Sequence, residues 1–215
     1  YTGFPYFRML WNSVFYSTSV TIGTVLSSAA VGYGFARLRF PGRNLLFTGT
    51  VATLMIPPLI IFIPTYVLFK VMGLIGSYAP LIIPQFLGSA FFIFLLRQFF
   101  LTIPRELADA ARVDGAGEFR IFWQIMLPLV RPALVIVMIY NLIPIWNDFF
   151  FPLVFIQTDR LKTLPLGMTA FFGQYYTDWA VLFAGLTLAA VPVILLYVLL
   201  SQHFIRGLTA GAVKG

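Results

Sequence analysis

The chain has 215 residues, 60% of them hydrophobic and 10% charged, with a net charge of +7, no cysteine and one histidine. Ordinary soluble domains carry about 25% charged residues, so this composition belongs to a membrane protein. The missing cysteines exclude disulfides, thiolate nucleophiles and Cys-type zinc sites, the lone His203 excludes a histidine cluster, and the scattered basic residues form no stripe of the kind that binds nucleic acid.

Five apolar segments reach the roughly 17 to 25 helical residues that a bilayer core requires. They lie at about 12–36, 45–69, 81–100, 132–156 and 179–201. The chain opens at Tyr1 without a charged leader, so it is expected to lack its natural beginning rather than to start with a signal peptide. In the first segment Ser28, Gly32 and Ala36 recur every four residues behind Gly23 and Ser27, a small-residue face that lets another helix approach closely. In the second, Pro57, Pro58 and Pro64 are expected to bend or interrupt the helix. Such breaks occur beside transport paths and also as plain packing kinks, and both readings stand. The third segment places Gln85 after Pro84 near the outer end, where interfacial hydration or a path lining would suit it.

Residues 101–128, LTIPRELADAARVDGAGEFRIFWQIMLP, are the one long polar interruption, and they hold Glu106, Asp109, Asp114 and Glu118 among the seven acids. Thr102 is expected to cap a first helix whose opening turns carry Pro104, Glu106 and Asp109, since a helix amino end has free N–H groups and partial positive charge. Gly115 ends that helix in the left-handed conformation. A second helix, from Glu118 to Leu127, brings Phe119, Phe122, Trp123 and Met126 onto one apolar face at i, i+3, i+4 and i+7, and Pro128 closes it. Simple helix connections take about two to eight residues, so so long a hairpin reads as a docking element.

The fourth segment carries Tyr140, Asn141, Trp146, Asn147 and Asp148 within apolar surroundings, with Pro144 and Pro152 interrupting its bonding. An acid inside a span costs about 2.5–3.5 kcal/mol, less away from the centre, and must face protein or water. Asp148 lies roughly 12 Å from the outer end at 1.5 Å per residue, either lining a path or clamping two helices. The outer loop from Gln157 to Asp178, with Leu164, Pro165, Tyr175 and Tyr176, suits a membrane interface or contact with an external protein. Placing the loops at 37–43 and 101–131 and the tail at 202–215 on one side gathers ten basic residues there, with Arg97 at the adjoining end of the third segment counted among them, and leaves Arg8, Lys70, Arg160 and Lys162 on the other. The positive-inside rule then makes the hairpin and the carboxyl tail cytoplasmic. An odd number of spans beginning outside calls for one more upstream of Tyr1.

No Gly-Lys-Ser/Thr loop is present to cradle phosphate, and no Ser-X-X-Lys or intramembrane His set suggests catalysis, so the chain is read as non-enzymatic. It shows no repeat or linker, and 1–215 reads as one transmembrane domain.

Asp109-Ala110-Ala111, three residues, Gly115, nine residues, then Ile125-Met126-Leu127-Pro128 resembles the EAA signature of binding-protein-dependent ABC importer permeases, with Asp109 where the usual residue is Glu. Ile103-Pro104, Glu106-Leu107, Asp114-Gly115-Ala116 and the closing stretch from Gly207 to Gly215 are similar to its MalG-like, carbohydrate-importing branch. The resemblance implies an all-α polytopic permease fold of type I with six spans, one of them absent from this chain. It also implies a second, MalF-like permease, two ATPase subunits that hold ATP and magnesium, an extracytoplasmic sugar-binding protein, and no cofactor or metal on this chain. Glu106, Asp109, Ala110, Ala111, Asp114, Gly115, Phe119, Phe122, Trp123, Ile125, Leu127 and Pro128 would then couple to the ATPase, and Leu208, Thr209, Ala210 and Gly211 would touch it from the tail. Glu106 and Asp109 would offer carboxylates to partner cations, although the shorter Asp109 puts its ion pair in question. Gln85, Tyr140, Asn141, Trp146, Asn147 and Asp148 are the path candidates. Glycerol phosphate or a polyol is the alternative cargo, and an ion-coupled secondary transporter is the alternative class, which Asp148 alone serves poorly.

Overall fold

The computed structural model describes residues 5–171, 179–180, 183–195 and 198. The expected segment 179–201 is therefore covered in part, while Tyr175, Tyr176 and the tail, including Leu208, Thr209, Ala210 and Gly211, lie outside the described residues. Among the described residues the structure is helical, without strands.

Helix α1 (Tyr6–Arg37) is the axis of the fold, and its 32 residues rise about 48 Å. Its buried face is rich in small and hydroxylated residues, among them Ser13, Ser17, Thr24, Ser28, Gly32 and Ala36. In lipid, such residues allow backbones to approach closely where apolar bulk would give no advantage over the acyl chains. A Cβ at Gly32 would lie 3.2 Å from Ile93 O and Arg97 N of α5 (Ala90–Thr102), so the glycine sets how close the two helices come. They run parallel. The Ser89 N–H donates to Ser28 Oγ at 3.1 Å, and two turns further on Arg37 donates to the carbonyls of Phe100 and Ile103, satisfying the free end of α5.

The second segment is broken, as its prolines require. Helix α2 (Arg43–Ala52) runs on as a 3-10 turn to Met55, Pro57 is extended, and α3 (Pro58–Val71) leaves at 98°. The double proline makes the break. Pro64, expected to interrupt the helix as well, sits inside α3 without ending it. A single internal proline removes one N–H, a smaller defect than the extended backbone at Pro57. The third segment opens as α4 (Ala79–Ile82) and a 3-10 turn, Ile83–Leu87, before α5.

Helix α6 (Glu106–Val113) and α7 (Glu118–Leu129) form the hairpin, and a 79° bend at Val130 leads into α8 (Arg131–Trp146), which runs antiparallel to α1. Pro144 is carried within α8, and the helix ends at Asn147 instead. The fourth segment is thus α8, a non-helical step at Asn147, Asp148 and Phe149, and the short α9 (Phe150–Phe155). By length and composition, Tyr6–Arg37 and Ala79–Thr102 can each cross a bilayer, and the two bent pairs, Arg43–Met55 with Pro58–Val71 and Glu118–Leu129 with Arg131–Trp146, raise this to four if each is one span. The fifth expected segment is represented by α11 (Phe183–Leu195), a shorter apolar helix.

Between them, α10 (Leu164–Met168) packs the loop after 157 against α1. Leu164, Leu166 and Met168 are buried, the Leu164 N–H donates to Ser13 Oγ at 2.7 Å, and Asn12 Nδ2 donates to the carbonyls of Arg160 and Lys162 at 2.8 and 2.9 Å. Unpaired loop carbonyls and amides are costly in an apolar setting, and α1 supplies their partners.

Candidate functional site

The hairpin is built on the ends of α1 and α5. Ala108, Ala111, Ile121, Phe122, Met126 and Leu127 are buried in one cluster with Tyr33, Ala36 and Phe100. Small side chains at 108 and 111 bring α6 against this cluster, while Ala110, on the other side of the helix, is exposed. The turn is made where the sequence places it. Gly115 has φ +80°, and the Ala116 N–H returns to Ala111 O at 2.9 Å, closing α6.

Three expectations about the hairpin need correction. Thr102 does not cap α6, because it is the last residue of α5 and its hydroxyl turns back to Phe99 O at 2.8 Å; Arg105 holds the cap position with no side-chain cap bond. Pro128 does not close α7, which continues to Leu129. Nor do the four large residues share one face. Phe122–Met126 is a π-helical turn in which the Leu127 N–H reaches Phe122 O. A proline at 128 crowds the carbonyl four residues back, and the wider turn relieves that crowding. The register shifts accordingly, so that Ile121, Phe122, Met126, Leu127 and Val130 face inward. Phe119 and Trp123 face outward, 77% and 44% exposed, with ring centroids 6.0 Å apart. Val113 beyond them is also exposed. Ile125 and Pro128 are partly buried, whereas Glu106 and Asp114 are exposed.

Asp109 begins a chain of polar contacts across the turn. Its carboxylate accepts from Arg112 Nη1 at 2.6 Å within the same helix, and Arg112 Nε donates to Glu118 Oε1 at 2.7 Å across the turn. Tyr33 Oη then donates to Glu118 Oε2 at 2.8 Å, joining the turn to α1. The Arg112 guanidinium holds the Glu118 carboxyl below the usual carboxylate range, and Glu118 in turn raises Arg112. Asp109 is thus paired within its own helix while its side chain stays 65% exposed. Sequence reasoning did not single out Arg112 or Tyr33. The three-residue spacing of Asp109 and Arg112 signals their pairing on a helix, but nothing local announces Tyr33.

Four of the six path candidates line two cavities, two in each. Gln85 and Asp148 line a cavity of about 460 Å³ whose wall also includes Tyr16, the broken stretch from Thr53 to Pro58, and Thr65. Asp148 Oδ2 accepts from Tyr16 Oη at 2.8 Å and Oδ1 from the Phe151 N–H at 3.3 Å. The carboxylate is therefore both a clamp between α8–α9 and α1 and part of a cavity wall. Gln85 packs beside the middle of α1. Its Oε1 accepts from Thr24 Oγ1 at 3.4 Å, close to the middle of α1, because Tyr78 is already inside, stacked on Tyr16. Trp146 and Asn147 line a second cavity of about 550 Å³ against α10 and α11, and Trp146 Nε1 donates to Ala189 O at 3.2 Å. Tyr140 is exposed, and Asn141 keeps a buried Oδ1 without a hydrogen-bond partner among the described residues.

The family described as "Binding-protein-dependent transport system inner membrane component" matches residues 19–210. Over 213 residues the chain is 36% identical to the arabinooligosaccharides transport system permease protein AraQ of Bacillus subtilis (strain 168), covering 99% of this chain and 75% of that one. It is 34% identical over 206 residues to the sn-glycerol-3-phosphate transport system permease protein UgpE of Shigella flexneri serotype 5b (strain 8401), covering 95% of this chain and 73% of that one. A bacterial ABC transporter involved in the import of the acidic polysaccharide alginate shares the fold with a TM-score of 0.83 at 22% identity, over 93% of this chain and 75% of that one. The MetNI methionine ABC transporter does so at 0.66 and 18%, over 93% and 94%. The chain belongs to the binding-protein-dependent transport system inner membrane components, a family of non-catalytic permease subunits.

Proposed function

We propose that this chain is the permease subunit of an ATP-driven importer of oligosaccharides, forming half of the transmembrane path with a second, MalF-like permease. The carrying observation is the 36% identity to an arabinooligosaccharide permease over nearly the whole chain. ATP and magnesium bind two separate ATPase subunits, and an extracytoplasmic binding protein delivers the sugar. The hairpin and carboxyl tail face the cytoplasm, as the excess of basic residues at that end favours. Phe119, Trp123 and Val113, exposed on a hairpin that is otherwise well packed, are the apolar contact for the ATPase, with Glu106 and Asp114 at its polar rim. Closure of the ATPase dimer moves the hairpin as a rigid body, because the Asp109–Arg112–Glu118–Tyr33 chain ties both helices and α1 together. Residues 208–211 add a second contact. The cavity between Asp148, Gln85 and the α2–α3 break supplies the path wall.

Transport by membrane vesicles with the complete complex tests this reading. Uptake of labelled arabino-oligosaccharide that is vanadate-sensitive and indifferent to a proton ionophore is expected, and the reverse pattern of sensitivity assigns an ion-coupled transporter. Glycerol phosphate is the second reading, favoured by the 34% identity to UgpE. Competition by sn-glycerol 3-phosphate but not by oligosaccharide would select it.

A further inference from the structure

One strongly basic feature has no part in docking or in the path. Between the loop after α1 and the hairpin lies a cavity of about 690 Å³ lined by Arg37, Arg39, Arg43, Arg105 and Arg112, with Asp109 and Glu118 as its two acids. Both carboxylates are already taken by Arg112, at 2.6 and 2.7 Å. The other four guanidinium groups therefore line the cavity without a carboxylate. Among the described residues Arg37 keeps a buried Nε with no hydrogen-bond partner, and Arg43 gives one N–H to Leu38 O at 3.2 Å. The guanidinium groups of Arg39 and Arg105 have no partner among the described residues.

Several arginines around one cavity, each with spare N–H donors, suit a phosphate oxygen cluster, which they can bind bidentately. The surroundings say what carries that phosphate. An adjoining cavity of about 410 Å³ shares Arg39, Phe40, Arg43 and Arg105 and extends to Leu45 at the start of α2. Helix α2 has no buried residue, and Leu45 and Leu46 are 78% and 57% exposed. The basic cavity thus opens directly onto an apolar helix surface, the pattern that joins a phosphate group to acyl chains. A soluble anion would leave the apolar half unused. Basic pockets between spans on the cytoplasmic side are where anionic headgroups are held.

We propose that the cavity between Arg37–Arg43 and α6 binds the phosphate of an anionic phospholipid headgroup, with Arg39, Arg43 and Arg105 as its ligands. Because Ala108, Asp109 and Arg112 form the opposite wall, the headgroup bridges α1 to the hairpin. This rests on the cytoplasmic placement given under the proposed function.

The test is native mass spectrometry of the assembled transporter released from nanodiscs of phosphatidylglycerol and phosphatidylcholine. Wild type should retain phosphatidylglycerol selectively, and Arg39→Gln with Arg105→Gln should lower its occupancy about thirtyfold, or about 2 kcal/mol at about 1 kcal/mol per basic residue. Arg39→Lys with Arg105→Lys should restore part of it, and Arg160→Gln with Lys162→Gln at the far end should change nothing. Equal retention by wild type and the glutamine variant overturns the proposal. So does displacement of the lipid by millimolar inorganic phosphate, which assigns a free anion, or retention that appears only after the ATPase subunits are stripped, which assigns an acidic protein surface. Binding is read without transport: intact uptake without bound lipid sinks this inference alone, and bound lipid without ATP-driven uptake sinks the transport reading alone.

Discussion

Removing the hydroxyl of Tyr33 should loosen the hairpin without touching any surface that a partner could see. Tyr33 is 4% exposed and its only polar contact beyond α1 among the described residues is Glu118, at 2.8 Å. A hydrogen bond to a charged group is worth about 1.5–3 kcal/mol when buried. Here the Glu118 side chain is 43% exposed and Arg112 39%, so screening reduces each link to about 1 kcal/mol. Tyr33→Phe should raise hydrogen exchange of the α7 amides about fivefold, the factor that about 1 kcal/mol gives for local opening, and Glu118→Ala, which removes the Arg112 link as well, about thirtyfold for about 2 kcal/mol. Since both lose the Tyr33–Glu118 bond, the double variant should lose about 2 kcal/mol rather than 3. The assay is exchange mass spectrometry on the assembled complex, followed through peptides covering 118–127. Strict additivity of the two changes, or no change in α7 with Tyr33→Phe, would refute the idea that this bond ties the hairpin to α1.

The π turn gives a second expectation: Phe122→Ala should cost about 3–5 kcal/mol of stability, whereas Phe119→Ala and Trp123→Ala should cost under about 0.5 while weakening ATPase association by about 2 kcal/mol, read by thermal unfolding and by co-purification. Gly115→Val should abolish ATP-driven uptake in an inserted complex, since a side chain at φ +80° costs about 1–2 kcal/mol, and Gly115→Asn should largely retain it; equal uptake by both variants removes the turn from the argument. Acid should act through Glu118. Its carboxyl sits below the ordinary range because of Arg112, so its contribution is complete above about pH 4.3 and is lost only as pH falls below that; Trp123 fluorescence should follow, and Glu118→Gln should remove the transition. Asp148→Asn should lower uptake and Tyr16→Phe should lower stability, and unchanged values for both would leave Asp148 neither path nor clamp.

What the sequence reveals here follows from how local each determinant is. Pro57 and Pro58 announce a break and Gly115 announces a turn because backbone sterics act within a residue or two. The small residues of α1 announce close packing, although not that α5 is the partner. The split of Phe119 and Trp123 from Phe122 and Met126 was hidden, since an i, i+3, i+4, i+7 pattern assumes an unbroken α-helix and a π turn adds one residue to the count. Gln85 looked peripheral when distance was counted from the start of its segment, but Tyr78 enters the fold before that segment begins. Tyr33 and Glu118 lie 85 positions apart, and only the folded chain brings them to a hydrogen bond. A polar group in an apolar run does not tell which cavity wall it joins, so Gln85 and Asp148 line one cavity, Trp146 and Asn147 another, and Tyr140 and Asn141 neither.

Helix α1 is held at both ends, by Asn12 and Ser13 on the loop before α10 and by Tyr33 and Arg37 on the hairpin and α5. That makes it a beam with a joint at each end. A sideways displacement of one helical turn, about 5.4 Å, at the hairpin joint tilts the stretch of about 34 Å between the joints by about 9°. Halfway along, beside Thr24 and Gln85, the shift is half as large, and near Tyr16 and Asp148 it has nearly vanished. The leverage is therefore graded: the middle of the molecule can open and close while the far joint acts as the fulcrum, and lengthening or softening α1 between Thr24 and Tyr33 would reduce the stroke without altering either joint.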